Sequence, residues 1–364
     1  MAHALKKQFP SHFFVFSTTT ETGQAEAQRS LPFVDQFLYL PLDFRWIVGK
    51  MIQSFRPELF ILTESDYWFN LLDCLKNSGT KIVVINAKIS ERSKKRLSCF
   101  PWFAKALFAH IDFFCVQSTH YLQRFLALGV PLEKMKVTGN LKFDEVYSVL
   151  TPEELKGWQR DLGIDPRRDH VLVVGSSHDP EEKFILDLLP SVWNKHPHLK
   201  VIIVPRHPER FNQVEEIIQH LSIPYRRYTK PQSDAVEARV ILLDKMGVLR
   251  TCYQLADIAI VAGSYTEKVG GHNLMEPAFY GVPVLFGPYM HSQPELLSLM
   301  LENQAGLQVP RDCLANVLSR LLDSPEERKH LGEAGLALVH ANQGALQTTL
   351  KAILGIYSKS KSFS

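Results

Sequence analysis

The stretch Ala262-Gly263-Ser264-Tyr265, Gly270-Gly271-His272-Asn273-Leu274-Met275-Glu276-Pro277-Ala278 and Gly281-Val282-Pro283-Val284 decides the fold. Ahead of it runs Ile258–Ala262 and behind it Val282–Phe286, two continuous apolar runs of strand length. Such runs, rather than alternating ones, mark strands buried on both faces of a parallel sheet. A helical stretch, Asn273–Tyr280, connects them. Gly270 and Gly271 permit close approach of backbone to a ligand. A helix beginning near Asn273 points its positive end at that gap. Glu276, one turn in, is placed to accept hydrogen bonds from the hydroxyls of a ribose. A flexible loop followed by a first-turn carboxylate would use the same residues, but three such features beside one buried strand favour a ligand site.

Outward from this unit the pattern repeats. On its N-terminal side lie the apolar runs His170–Gly175, Lys200–Val204 and Val240–Leu243, separated by the helical stretches Glu181–Asn194, Glu209–His220 and Val248–Ala256. An earlier series comprises His12–Ser17, Leu59–Thr63, Lys81–Asn86, Phe113–Gln117 and Lys136–Gly139. Two series of strand–helix alternation predict two doubly wound α/β domains. The break falls near Tyr147–Asp169, where Thr151-Pro152-Glu153-Glu154 is a strong helix start. The domains are therefore expected over 1–150 and 151–364. The Ser/Lys-rich tail, 359–364, is expected to fray.

Composition narrows the function. The chain has 364 residues, enough for two domains, and 45% apolar content, which excludes wholesale disorder. Its net charge of +3 gives no argument for nucleic acid. Five cysteines, none in a C-x-x-C pair, argue against a disulfide framework or a zinc site and suit a reducing cytoplasm. No run of 18 apolar residues predicts a transmembrane helix, and no signal-peptide core follows the polar start.

Two more motifs in the second half sit at strand ends, where ligands of open parallel sheets lie. Gly175-Ser176-Ser177-His178-Asp179-Pro180-Glu181-Glu182 offers backbone N–H groups to an anion at a helix start; taken alone, the motif is better read as an ordinary capped helix. Pro205-Arg206-His207-Pro208-Glu209-Arg210 brings an Arg-His pair suited to phosphate or carboxylate, or else a solvated basic turn. In the first half Glu64 and Asp66 follow a strand and suit either acid–base work or helix capping. Lys88, Arg92, Lys94, Lys95 and Arg96, followed by Phe100, Trp102 and Phe103, suit an anionic membrane interface or a solvated helix face beside core aromatics.

Together these motifs resemble the Kdo transferase family, which adds 3-deoxy-D-manno-octulosonic acid (Kdo) to the lipid A precursor. The resemblance runs from Thr18 to about Pro294 through TTTETG at 18–23, PLD at 41–43, ESDYWFN at 64–70, NAKISERS at 86–93, TGNLKFD at 138–144, GSSHDPEE at 175–182, PRHPER at 205–210 and GGHNLMEPA at 270–278. It implies a GT-B fold, two Rossmann-like domains with a cleft between them, the first for the acceptor and the second for the donor. It further implies inverting, metal-independent transfer of Kdo from CMP-Kdo to lipid IVA in lipopolysaccharide synthesis, with no cofactor. The donor would be held by Ser176, Ser177, Arg206, His207, Gly271, Asn273 and Glu276. The acceptor would meet Thr20, Lys88 and Arg92, and Glu64 and Asp66 are the catalytic candidates. The partners would be CMP-Kdo, the lipid A precursor and the inner-membrane surface, met from the cytoplasmic face by a peripheral protein; nucleic acid is not expected.

The sequence departs from the family pattern in three places. Nothing ahead of Thr18 matches the family's hydrophobic anchor, first strand and Gly-Glu motif, whose Glu the resemblance makes the general base. Slow transfer by the 364-residue chain is therefore expected. Asp66 and Phe69 stand where the family has Glu and Pro, and Lys88 where Arg is common, keeping only the charge. A different GT-B enzyme acting on a UDP-sugar, an epimerase, or a non-catalytic sugar-nucleotide or lipid binder are the alternatives.

Overall fold

The computed structural model describes residues 1–145, 147–230 and 237–361. The chain divides into two compact units, Met1–Glu145 with Asn342–Ser364, and Val146–Ala341. The first unit contains α1 (Ala2–Gln8), β1 (Val15–Thr18), α2 (Glu21–Ser30), β2 (Gln36–Tyr39), α3 (Arg45–Phe55), β3 (Leu59–Thr63), α4 (Phe69–Asn77), β4 (Lys81–Ala87), α5 (Glu91–Ser98), α6 (Pro101–Ala109), β5 (Phe113–Val116), α7 (Thr119–Ala127) and β6 (Met135–Val137). The second runs through α8 (Pro152–Leu162), β7 (His170–Ser177), α9 (Glu181–Trp193), β8 (Leu199–Pro205), α10 (Phe211–His220), β9 (Tyr225–Arg227), β10 (Val240–Leu242), α11 (Leu249–Tyr253), β11 (Ile258–Val261), α12 (Met275–Phe279), β12 (Val284–Phe286), α13 (Pro294–Glu302), β13 (Leu307–Gln308), α14 (Leu314–Asp323) and α15 (Pro325–Ala341). The last helix, α16 (Ala345–Lys361), returns to the first unit.

The second unit is built on a seven-stranded parallel sheet of order β13-β12-β11-β7-β8-β10-β9. The order runs one way from β7 through β8 and the other way from β7 through β11, so β7 and β11 flank the point where the winding reverses. Their register pairs Ile258 with Leu172 and Val261 with Gly175, which brings the ends of both strands to one level. One sheet face packs Leu172, Val174, Ile203 and Ile260 against α9 and α14; the other packs Val171, Val173, Ile202 and Ala259 against α8 and α11. This covering of both faces explains the unbroken apolar runs in the sequence. At the entry to this unit, Thr151 and Glu154 form a complete capping box.

In the first unit the strands fall into two parallel sheets, the pair β1-β2 and the four-stranded β3-β4-β5-β6. Among the described residues β1 pairs only with β2, and β3 only with β4. An apolar cavity of about 460 Å³ is lined by both, through Val15, Phe16, Phe60 and Ile61, and by Leu5 and Ile52.

Several boundaries differ from expectation. β2, β9 and β13 were not anticipated; they are edge strands of two to four residues, too short to leave a pattern. The sequence assigned 342–364 to the second half, whereas α16 packs Leu350 and Ile353 with Leu5, Val83, Ile85 and Cys115 of the first unit. Residues 359–361 of the tail continue that helix, and 362–364 lie outside the described residues. The helix expected over Asn273–Tyr280 is only Met275–Phe279, because positive φ at Gly270 and Gly271 delays its start and Gly281 ends it.

Candidate functional site

The C-terminal ends of β7, β8 and β11 gather most of the second half's motif residues. β7 ends on Ser177, which is buried and donates its Oγ to Glu182 Oε1 at 3.1 Å. Ser176, just before it, has φ 57°, a left-handed residue at a register shift after which Ser177 still pairs with Pro205 of β8. Arg206 and His207 follow β8, and the Arg206 N–H donates to the Ser177 carbonyl at 3.1 Å, tying the two strand ends. Both basic side chains are exposed, and His207 lies 3.8 Å from the Glu209 carboxylate.

The loop after β11 supplies the other wall. Gly271 has φ 90° and its N–H donates to the Gly263 carbonyl at 2.8 Å. The left-handed φ favours glycine there, and a Cβ would lie 2.3 Å from Met290 Sδ, so that side chain would have to move. Asn273 Oδ1 accepts from Met275 N at 3.1 Å, an Asx turn just ahead of α12. With only five residues, α12 has a weak dipole, so the macrodipole invoked from the sequence contributes little. Glu276 pairs with Arg250 at 3.4 Å; burial, and then the Glu276 charge, raises the pKa of Tyr253, whose hydroxyl lies against Gly175 of β7.

Two residues absent from the expected site occupy its middle. His178 Nε2 and His272 Nε2 are 2.8 Å apart, and their rings stack at 5.0 Å. His207 approaches His178 edge-on at 5.3 Å. Burial pushes His178 down to about 4, helped by the charges of His207, Arg206 and Arg210. Burial, then His178, Arg206 and His207, does the same to His272. Both histidines lie inside quoted motifs, and their position next to the strand ends was the available signal.

In the first unit the candidates are more dispersed. Glu64, at φ 68°, follows β3 and pairs with Lys88 at 2.7 Å; Asn86 reaches its other oxygen at 3.5 Å. Asp66 and Arg92 are exposed. Thr20 caps α2 by accepting from Gly23 N at 3.2 Å. The structure thus brings Glu64 and Lys88 together, and no contact joins them to Thr20 or Arg92 among the described residues. In the segment that follows α5, Trp102 is 72% exposed and Phe100 58%; Trp46 in α3 is 69% exposed and Phe44, just before it, 54%. Among the described residues no helix is long and apolar enough to cross a membrane, and no group of three His, Cys, Asp or Glu is placed to hold a metal ion.

The chain is similar to known proteins in sequence and in fold. The family described as "3-Deoxy-D-manno-octulosonic-acid transferase (kdotransferase)" matches residues 1–145. The chain is 33% identical over 345 residues to the 3-deoxy-D-manno-octulosonic acid transferase of Chlamydophila psittaci, covering 94% of this chain and 78% of that one. It is 32% identical over 353 residues to the enzyme of the same name from Haemophilus influenzae, covering 96% and 82%. Among solved structures, a glycosyltransferase from Rickettsia africae superposes with a TM-score of 0.64 at 15% identity, over 98% of this chain and 93% of that one. A UDP-N-acetylglucosamine 2-epimerase gives 0.60 at 13% identity, over 93% and 89%. At such identities the superpositions speak for the fold alone, which is GT-B with two Rossmann-like domains. Sequence identity over nearly the whole chain carries the family: this chain belongs to the 3-deoxy-D-manno-octulosonic acid (Kdo) transferases.

Proposed function

We propose that the chain transfers Kdo from CMP-Kdo to a lipid A precursor such as lipid IVA, with inversion and without a metal ion. The observation that carries this reading is the convergence of Ser177, His178, Arg206, His207 and Gly271–Asn273 at the winding reversal of the second unit's sheet. Donor and leaving group are both anionic. Arg206 would stabilise the charge that develops on departing CMP, the task a metal ion performs elsewhere. Glu276, held by Arg250, would accept from the ribose hydroxyls. In the first unit Glu64 is the leading candidate for taking the acceptor's proton, with Asp66 the lesser one because it is exposed. Thr20, Lys88 and Arg92 would meet the acceptor. The exposed aromatics beside Lys95 and Arg96 support a peripheral seat on the cytoplasmic face of the inner membrane.

Calorimetry with CMP and UDP tests the donor half. CMP is expected to bind more tightly than UDP, and a chelator is expected to change nothing. Arg206→Ala should weaken CMP binding by about 10- to 100-fold, the range for losing a hydrogen bond to a charged group. Preference for UDP, or loss of CMP binding on chelation, overturns the reading.

A further inference from the structure

The donor-site reading leaves one buried group unexplained. Glu181, first residue of α9, is fully buried at 0% exposure. Its Oε2 accepts from Gly263 N at 2.7 Å and from His178 N at 3.0 Å, and its Oε1 accepts from Tyr265 N at 2.9 Å. Those three N–H groups belong to the loops that leave β7 and β11, the two strands at the winding reversal. Arg210, the nearby cation, makes its ion pair with Glu182 instead, at 3.0 Å.

Each loop in turn carries one half of the histidine pair. His178 is held through its own N–H. His272 is held at one remove: its ring lies against Gly263, where a Cβ would come within 2.7 Å of His272 Cδ2, and Gly263's carbonyl receives Gly271 N. We propose that Glu181 is a positioning residue of the donor site, whose carboxylate sets the spacing between the two loops and thereby builds the His178–His272 pair without touching the ligand. The inference rests on the donor reading only for the identity of the ligand.

The chemistry explains why a carboxylate is needed. Three backbone donors converge on one side chain, and only a carboxylate offers two acceptor oxygens at that reach. A glutamine of the same shape has one oxygen, and its NH₂ would face an N–H. An aspartate keeps the charge but draws both oxygens back by one methylene. Burial of the carboxylate raises its pKa to about 6 despite the three donors, with Glu182 adding to the rise.

The test uses the full chain with CMP as probe, followed by calorimetry and by ¹⁵N spectra of the histidine side chains. E181Q and E181D are expected to weaken CMP binding by about 10- to 100-fold, to raise KM for the sugar nucleotide more than they lower kcat, and to move the His178 and His272 signals and titrations toward those of exposed histidine. Loss of thermal stability with unchanged CMP affinity and unmoved histidine signals would mean that Glu181 serves the helix alone, and overturns the proposal. Where neither variant folds, hydrogen exchange of the unaltered protein decides: the amides of His178, Gly263 and Tyr265 should be protected without ligand, and rapid exchange at all three overturns it. If the unaltered protein does not bind CMP, the donor reading fails, while the histidine signals still report on Glu181.

Discussion

At the residue scale the site is governed by groups whose protonation the fold has shifted in opposite directions. His178 and His272 are held near 4 and Glu181 near 6. An unfolded chain would protonate those histidines near their ordinary value while the folded chain does not until about pH 4. The unfolded state therefore binds more protons in that window, and stability is lost as pH falls through it. Glu181 acts the other way, because its folded form takes up a proton first, so acidification from about 6 favours the fold. Two histidines shifted further than one glutamate should prevail. Urea unfolding is expected to show lower stability at pH 4.5 than at pH 7, and H178N with H272N should flatten that slope. A midpoint unchanged between the two pH values would contradict the shifts. Gly271 gives a second expectation. G271A forces a left-handed alanine against Met290 Sδ and should cost about 1–3 kcal/mol, together with a loss of CMP affinity; unchanged melting and binding would show that the loop relaxes freely.

At the element scale the first unit carries the exposed risk. β1 and β3 each present one edge without a strand partner among the described residues, and both line the apolar cavity. Unpaired edges beside apolar surface recruit other chains. The purified chain is expected to bind an apolar dye such as ANS and to aggregate with concentration, and V15K, at an already exposed edge position, should reduce the aggregation without unfolding the protein. Light scattering that is indifferent to V15K would remove the edge as its cause. The segment from α5 to α6 is the other exposed element. Its cations and Trp102 should favour anionic vesicles over neutral ones, and W102A should weaken that sedimentation. Equal binding to neutral vesicles would argue against an electrostatic seat.

At the scale of the whole molecule the two units differ in how the chain builds them. The second is one continuous segment with its own sheet and core. The first needs two segments: Asp144 accepts from Gly344 N at 2.6 Å and from Leu346 N, and so fastens the start of α16 across two hundred residues. Residues 146–341 expressed alone should therefore fold cooperatively and bind CMP within about tenfold of the full chain, a difference of about 1.4 kcal/mol. Residues 1–145 alone should not, since removing α16 uncovers Val83, Ile85 and Cys115. Circular dichroism melts of the two segments check both statements, and a cooperative melt of 1–145 would deny α16 its role.

Most of the architecture was legible in the sequence because burial on both faces writes itself into consecutive residues. β4, β7 and β8 are long, central and unbroken, and the Thr151 cap is a contact between residues three apart. The strand-end motifs were legible for the same reason, since each lies within a few residues of the strand that carries it. What only the tertiary structure decided are the relations between distant segments. The edge strands β2, β9 and β13 acquire their identity from a neighbour rather than from their own composition. The assignment of α16 to the first unit depends on a surface made by residues far upstream. His178 and His272 are 94 residues apart in sequence, and Glu181 looks like an ordinary first-turn carboxylate until β11 brings Gly263 and Tyr265 to it. Periodicity records how deeply each residue is buried; it carries no record of which partner buries it, and the candidate site is made of partners.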